Sequence, residues 1–206
     1  MRKKLFKTIL LGSLVTCTYL SANLNDDGWY VGIDAGFINI GDDTIDITTY
    51  DSDGNKKNTQ HYKDTTSLSY RFKIGYQHFN KNRIELLFKN EKIKTNVENV
   101  TINGFGINYE WGLTCLESGN ILPYTLIGFD FGRAKFKKLD ISNKTVDTFG
   151  LNFGLGIRYK INENFDTNIG YLHSNTAFGD FKNDKGDITA ISQDKVNLGI
   201  TYKFKK

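Results

Sequence analysis

The sequence is poor in the residues that stiffen or staple a chain: 206 residues hold one proline, one methionine and two cysteines. It also lacks a long apolar run beyond its first 22 residues, and mean hydropathy is −0.42, which excludes a multi-helix membrane protein. Twenty glycines are scattered, and 15 Phe and 11 Tyr stand beside them, so collagen, coiled coil and polar disorder are excluded as well. An excess of one charge is missing too. Of 27 basic residues, Arg2, Lys3, Lys4 and Lys7 lie in residues 1–22 with no acid among them, and the other 23 balance 23 acidic residues. A nucleic-acid partner, which relies on basic excess, therefore has no support.

What those first residues carry is an export signal. Met1–Lys7 is basic, Ile9–Val15 is a short apolar stretch, and Leu20-Ser21-Ala22 ends in a small residue. A membrane-spanning helix is disfavoured because Thr8–Leu20 is too short. Two cleavage points fit: after Ala22, or before Cys17 within Leu14-Val15-Thr16-Cys17. With the first, residues 1–22 are a signal peptide, residues 23–206 form one domain, and Cys115 alone survives. No intramolecular disulfide is then possible, so the core is held otherwise.

The remaining chain alternates with a period of two, eight times. Trp29, Val31, Ile33, Ala35 and Phe37 share one face, with Tyr30, Gly32, Asp34 and Gly36 on the other. The segment 149–160 is the cleanest: Phe149, Leu151, Phe153, Leu155, Ile157 and Tyr159 oppose Gly150, Asn152, Gly154, Gly156, Arg158 and Lys160. The same pattern runs through 68–77, 84–89, 104–113, 125–132, 165–172 and 196–204. A soluble sandwich or lipocalin-like ligand-binding barrel would bury the apolar face. Two features oppose this. Glycine weakens strands and has no reason to crowd a solvated face, whereas the inside of an eight-stranded barrel is tight. The continuously bulky apolar face would overfill that interior. Both features fit a barrel with apolar residues toward lipid and small or polar residues inside.

The connections agree. Asn80-Lys81-Asn82 and Asn162-Glu163-Asn164 are short, while Gly41–Thr66, Ala134–Asp147 and Asn175–Gln193 are long. Short periplasmic turns and longer external loops are the barrel habit. Trp29, Tyr30, Tyr76, Tyr109, Trp111, Tyr124, Tyr159, Phe165, Tyr202 and Phe204 are expected in a girdle at the periplasmic end, and Leu68, Phe37, Phe88, Phe131 and Phe149 at the other. The segment 104–113 is least regular, because Val100 and Ile102 are out of phase with Phe105, so a bulge near Asn103-Gly104 or an extramembrane ladder is expected there.

Gly106-Ile107-Asn108-Tyr109-Glu110-Trp111, Gly156-Ile157-Arg158-Tyr159-Lys160-Ile161 and Gly199-Ile200-Thr201-Tyr202-Lys203-Phe204 repeat one motif at three segment ends. With Gly28-Trp29-Tyr30-Val31-Gly32 at the start, the chain resembles the eight-stranded OmpA-like and Opacity-like outer-membrane barrels, a porin family. The resemblance implies an all-β, eight-stranded antiparallel up-and-down transmembrane barrel in the bacterial outer membrane, preceded by a signal peptide. It implies an assembly signal for the barrel-assembly machinery in Asn197, Gly199, Tyr202 and Phe204, although Lys205 and Lys206 follow the last aromatic. Outer-membrane lipid and lipopolysaccharide are the implied surroundings. No peptidoglycan-binding domain is expected after residue 204.

The expected function is that of a non-enzymatic, porin-like or structural surface barrel, without cofactor, metal site or catalytic residues. Asp34, Arg71, Lys73, Glu85, Lys89, Glu110, Asp130, Arg158, Lys160 and Asp166 are expected to face the lumen as an ion-pair network, either a polar plug or a narrow solute path. His61, His78 and His173 lie at no ligand spacing, and Asp51-Ser52-Asp53-Gly54-Asn55 reads as a hairpin tip because Lys56 stands where a calcium loop needs glycine. His173-Ser174-Asn175 is similar to the His-x-Ser-Asn stretch of outer-membrane lipid A deacylases, so a lipid A-modifying esterase using His173 and Ser174 is the alternative. Adjacent strand residues point to opposite faces, which opposes a dyad of these two. The polar loops, with Asp42, Asp43, Lys56, Lys57 and Lys63, remain available for adhesion to a host or environmental surface.

Overall fold

A computed structural model of the chain describes residues 27–38, 44–50, 56–63, 67–78, 81–94, 98–138, 144–179 and 188–204. The expected signal in residues 1–22 and the expected hairpin tip at 51–55 lie outside them. Ten strands occur among the described residues: β1 Gly28–Ile38, β2 Thr44–Tyr50, β3 Lys56–Lys63, β4 Leu68–His78, β5 Asn82–Lys94, β6 Glu98–Gly112, β7 Ile121–Lys138, β8 Lys144–Lys160, β9 Phe165–Gly179 and β10 Ile188–Lys203. Eight of them, β1 and β4 to β10, pair antiparallel in chain order and close on themselves, with Tyr30 opposite Lys203 and Ile38 opposite Lys195.

The alternation decides which side faces in. Phe153, Ile157 and Leu198 lie on the outer wall, with Leu198 56% exposed, while Arg158, Asn152 and Asn197 on the same strands are buried. A soluble barrel reverses this arrangement. Glycine makes the interior possible: a Cβ at Gly199 would collide with the Asp34 carboxylate, and one at Gly170 would meet the Tyr124 hydroxyl at 2.6 Å.

Strand length adds a second layer. About 9–11 residues span a bilayer. β1 and β4 have 11 each, but β7 has 18 and β8 has 17. Much of 90–99, and much of what the sequence suggests is loop at 134–147 and 175–193, is therefore strand. In this extension the polarity turns inside out. Val100 and Ile102 point inward and join Ile93, Ala134, Phe178 and Ile191 in an apolar cluster, with Val146 packed against it. The outward positions there are Lys92, Asn99, Asn103, Arg133 and Lys135. The β5–β6 register runs unbroken from Arg83 opposite Glu110 to Lys94 opposite Asn99, so the expected bulge is absent and the extended ladder accounts for the irregular phase. Backbone direction is constant; the chemistry of the two faces swaps where the surroundings change from lipid to water.

The long first connection also contains structure. β2 pairs with β3, and it pairs with the upper end of β10, Ser192 opposite Asp46 and Ile188 opposite Tyr50. On the edge away from β9, β10 thus serves two partners, β1 along its lower part and β2 above.

Candidate functional site

The interior is built in stacked layers. Nearest the short turns, the Arg83 guanidinium pairs with Asp166, and its Nε donates to Gln77 Oε1 at 3.0 Å. Arg158 Nε lies 2.7 Å from Glu110 Oε1, and Arg158 donates to the Lys81 carbonyl at 2.7 Å. Lys81 holds a φ of 60°, the left-handed conformation of a tight turn. Lys203 stands 3.4 Å from Asp166.

The middle layer is centred on Asp34. Arg71 approaches it at 3.0 Å and Lys73 at 3.1 Å, and Lys73 also reaches Glu85 at 3.7 Å. The Tyr30 hydroxyl donates to Glu85 at 2.9 Å, with the Arg83 guanidinium over its ring. Above this, Lys89 meets Asp130 at 2.6 Å, Asn152 donates to Asp130 at 2.8 Å, and Ser174 donates to Asn152 at 2.6 Å. Lys195 and Glu91 form the top ion pair at 2.6 Å, directly below the apolar cluster. Six cations, Arg71, Lys73, Arg83, Lys89, Arg158 and Lys195, thus face Asp34, Glu85, Glu91, Glu110, Asp130 and Asp166. A charge taken out of water needs such a partner, and each has one.

The residues expected in the lumen are brought together as a network, except Lys160, which is half-buried beside the turn-end mouth with Lys81, Arg158 and Lys203. Arg83, Glu91 and Lys195 belong to the network and were missed, although their parity with Glu85, Lys89 and Asn197 was the available signal. Tyr30 and Tyr124 are corrections: both are buried inside rather than placed in the girdle, because they fall on the inward parity of β1 and β7. The other expected girdle aromatics lie on the outer wall, and several form pairs there, Trp29 with Tyr76 at 5.4 Å, Tyr109 with Trp111 at 4.6 Å and Phe131 with Phe149 at 5.2 Å.

Asn197, Gly199, Tyr202 and Phe204 lie on the last strand and its exit: Asn197 is buried, while Tyr202 and Phe204 meet edge to face on the outer wall, 5.2 Å apart. His173 faces outward and Ser174 inward, where it is fully buried, so these two form no dyad. His78 packs against Tyr109 at 5.7 Å, and the side chain of His61 lies outside the described residues. Among the described residues, no three His, Cys, Asp or Glu side chains gather as a metal site.

The model of the outer membrane protein beta-barrel domain matches residues 8–204. The chain belongs to that family. It is therefore a protein of the bacterial outer membrane. Neisserial surface protein A aligns with a TM-score of 0.55 and 17% identity over 86% of this chain and 97% of the other, which shows the same fold. OprG from Pseudomonas aeruginosa aligns with a TM-score of 0.48 and 17% identity, over 87% and 97%. No curated protein matches the sequence.

Proposed function

We propose that this barrel is a non-conducting surface scaffold, of the structural rather than the open-pore kind. One observation carries the reading: the ion pairs neutralise one another across the lumen, and an apolar cluster stands over them. An ion entering from outside would have to dehydrate through Ile93, Ile102 and Phe178 before meeting any charge. Planar-bilayer recording of the purified barrel tests this. Silence at all voltages is expected, and steady unitary steps would replace the reading with a solute path.

The scaffold presents the extended ladder and the β2–β3 hairpin beyond the lipid. We place recognition of a host or environmental surface there, because rigid scaffolds commonly carry binding at such ends. The apolar outer band supports contact with lipid and lipopolysaccharide. Asn197, Gly199, Tyr202 and Phe204 support reading by the barrel-assembly machinery, and Phe204→Ala is expected to slow insertion, followed as the folded fraction in outer-membrane preparations.

A further inference from the structure

The outer wall holds a polar chain that lies outside the lumen network. His173 on β9 and Asp194 on β10 are directly paired strand neighbours, both outward-facing and each about 40% accessible. His173 Nδ1 lies 2.7 Å from Asp194 Oδ1, which also accepts a hydrogen bond from the Tyr171 hydroxyl at 2.5 Å. A carboxylate only accepts, so Nδ1 carries a proton, and in the neutral imidazole Nε2 is the acceptor. Two groups face that nitrogen: Ser192 Oγ at 3.5 Å and Asn175 Nδ2 at 3.2 Å. We propose that Ser192, His173 and Asp194 form a nucleophile, base and orienting acid on the barrel's outer wall, which hydrolyses an acyl ester of a lipid lying against it.

The order of roles follows from the connectivity. Asp194 fixes the ring and its tautomer, Tyr171 fixes Asp194, and Nε2, which accepts from Asn175 Nδ2 at 3.2 Å in the resting state, is the base for the Ser192 hydroxyl once substrate draws that hydroxyl in. A separation of 3.5 Å is loose for a resting pair and within the range that tightens when substrate enters. The step balances without a co-reactant other than water. Ser192 Oγ bonds to the ester carbonyl carbon while His173 takes its proton. The ester C–O bond then breaks, and the leaving alcohol takes the proton from His173. Water, deprotonated in turn by His173, attacks the acyl-serine and releases the fatty acid with Ser192 restored.

The substrate class follows from position. Along β10 the outward residues run Tyr202, Ile200, Leu198 and Val196, then change to Asp194 and Ser192. On β9 the change comes between Ile169 and His173. Across β8, however, Phe153 stands opposite His173, and the apolar wall continues past it to Leu151 and Phe149. The polar chain is therefore notched into the external border of the lipid-facing band. Acyl chains would lie along Phe153 and Leu198, with their ester groups at Ser192.

The proposal rests on the wall facing lipid. Heat-modifiable gel mobility checks that condition separately, so a failed barrel and a failed site are distinguishable. The folded full chain in detergent micelles is mixed with diacyl phosphatidylethanolamine in one arm and with purified lipopolysaccharide in the other, and released fatty acid is measured. A long-chain fluorophosphonate probe reports on the serine. Release in either arm is expected, and the arm identifies the lipid. It should fall to background in Ser192→Ala and His173→Ala, drop at least about tenfold in Asp194→Asn, and persist in Ser174→Ala, whose hydroxyl is inside. Label should map to Ser192. Absence of release in both arms from a folded barrel overturns the proposal whether or not the probe reacts, as does release that survives Ser192→Ala.

Discussion

Glu91 on β5 and Lys195 on β10 meet at 2.6 Å although β4 and β1 separate their strands in the wall, so the pair crosses the lumen. Both are almost fully buried. Removing one partner strands a buried charge, which costs about 3–5 kcal/mol, whereas replacing both with apolar residues of similar volume is near neutral. Lys195→Met and Glu91→Leu are each expected to destabilise the barrel by roughly that amount, and the double variant is expected to recover most of it. Urea unfolding followed by tryptophan fluorescence in detergent measures all three.

Tyr124 and Gly170 are coupled by a single atom. A Cβ at Gly170 would stand 2.6 Å from the Tyr124 hydroxyl oxygen but 3.6 Å from the ring carbon bearing it. Gly170→Ala alone overpacks the interior and is expected to cost about 1–3 kcal/mol. Adding Tyr124→Phe removes the offending oxygen and is expected to restore most of that loss. At Gly156 the same rescue is expected to fail, because a Cβ there also meets the Ile169 carbonyl at 2.6 Å. The same urea titration, run on the four variants, separates these outcomes.

These glycines explain why so much of the fold was legible. Gly199 sits where Asp34 needs room and Gly156 where Tyr124 does, so the small positions mark the inside as clearly as Leu198 and Ile157 mark the outside. The eight barrel strands follow from that contrast. Their upper ends do not, because Val100, Ile102 and Ile191 keep the backbone period while reversing its chemistry, and a scan for outward apolar residues stops where the lipid stops. β2 was hidden for a different reason: Thr44-Ile45-Asp46-Ile47 alternates too briefly to stand apart from a polar loop. Most of the network's members followed from parity, with Arg83, Glu91 and Lys195 overlooked and Lys160 wrongly included, but its connectivity did not. That Arg83 pairs with Asp166, 83 residues away, is set by barrel curvature, which no local pattern encodes. The partnership of His173 with Asp194 was equally invisible, since it depends on the β9–β10 register.

The apolar cluster is expected to be a separate unit of stability. Phe178 and Ile102 are nearly inaccessible there, above the last ion pair. Ile102→Ala with Phe178→Ala opens a cavity, and each truncation of this kind costs about 2–5 kcal/mol. The loss is expected to stay local, because the lower layers keep their ion pairs. Hydrogen exchange should accelerate at amides of 98–102 and 176–179 and remain slow at 105–110 and 167–171. Uniform acceleration would show instead that the cluster and the charged layers open together.

The hairpin gives the last test, because β10 does not need it to close the barrel. Lys195–Lys203 pairs with β1 over its whole length, and β2 touches only Ile188–Ser192. Replacing residues 44–63 with a short polar turn is therefore expected to leave heat-modifiable mobility intact. It would leave the upper part of β10 with an open edge on the β2 side, and open edges template pairing with other chains. Exchange at amides of 188–192 is expected to rise, and the purified variant is expected to self-associate at high concentration in detergent, measured by sedimentation velocity. A variant that loses its folded band would show that the hairpin takes part in closing the wall.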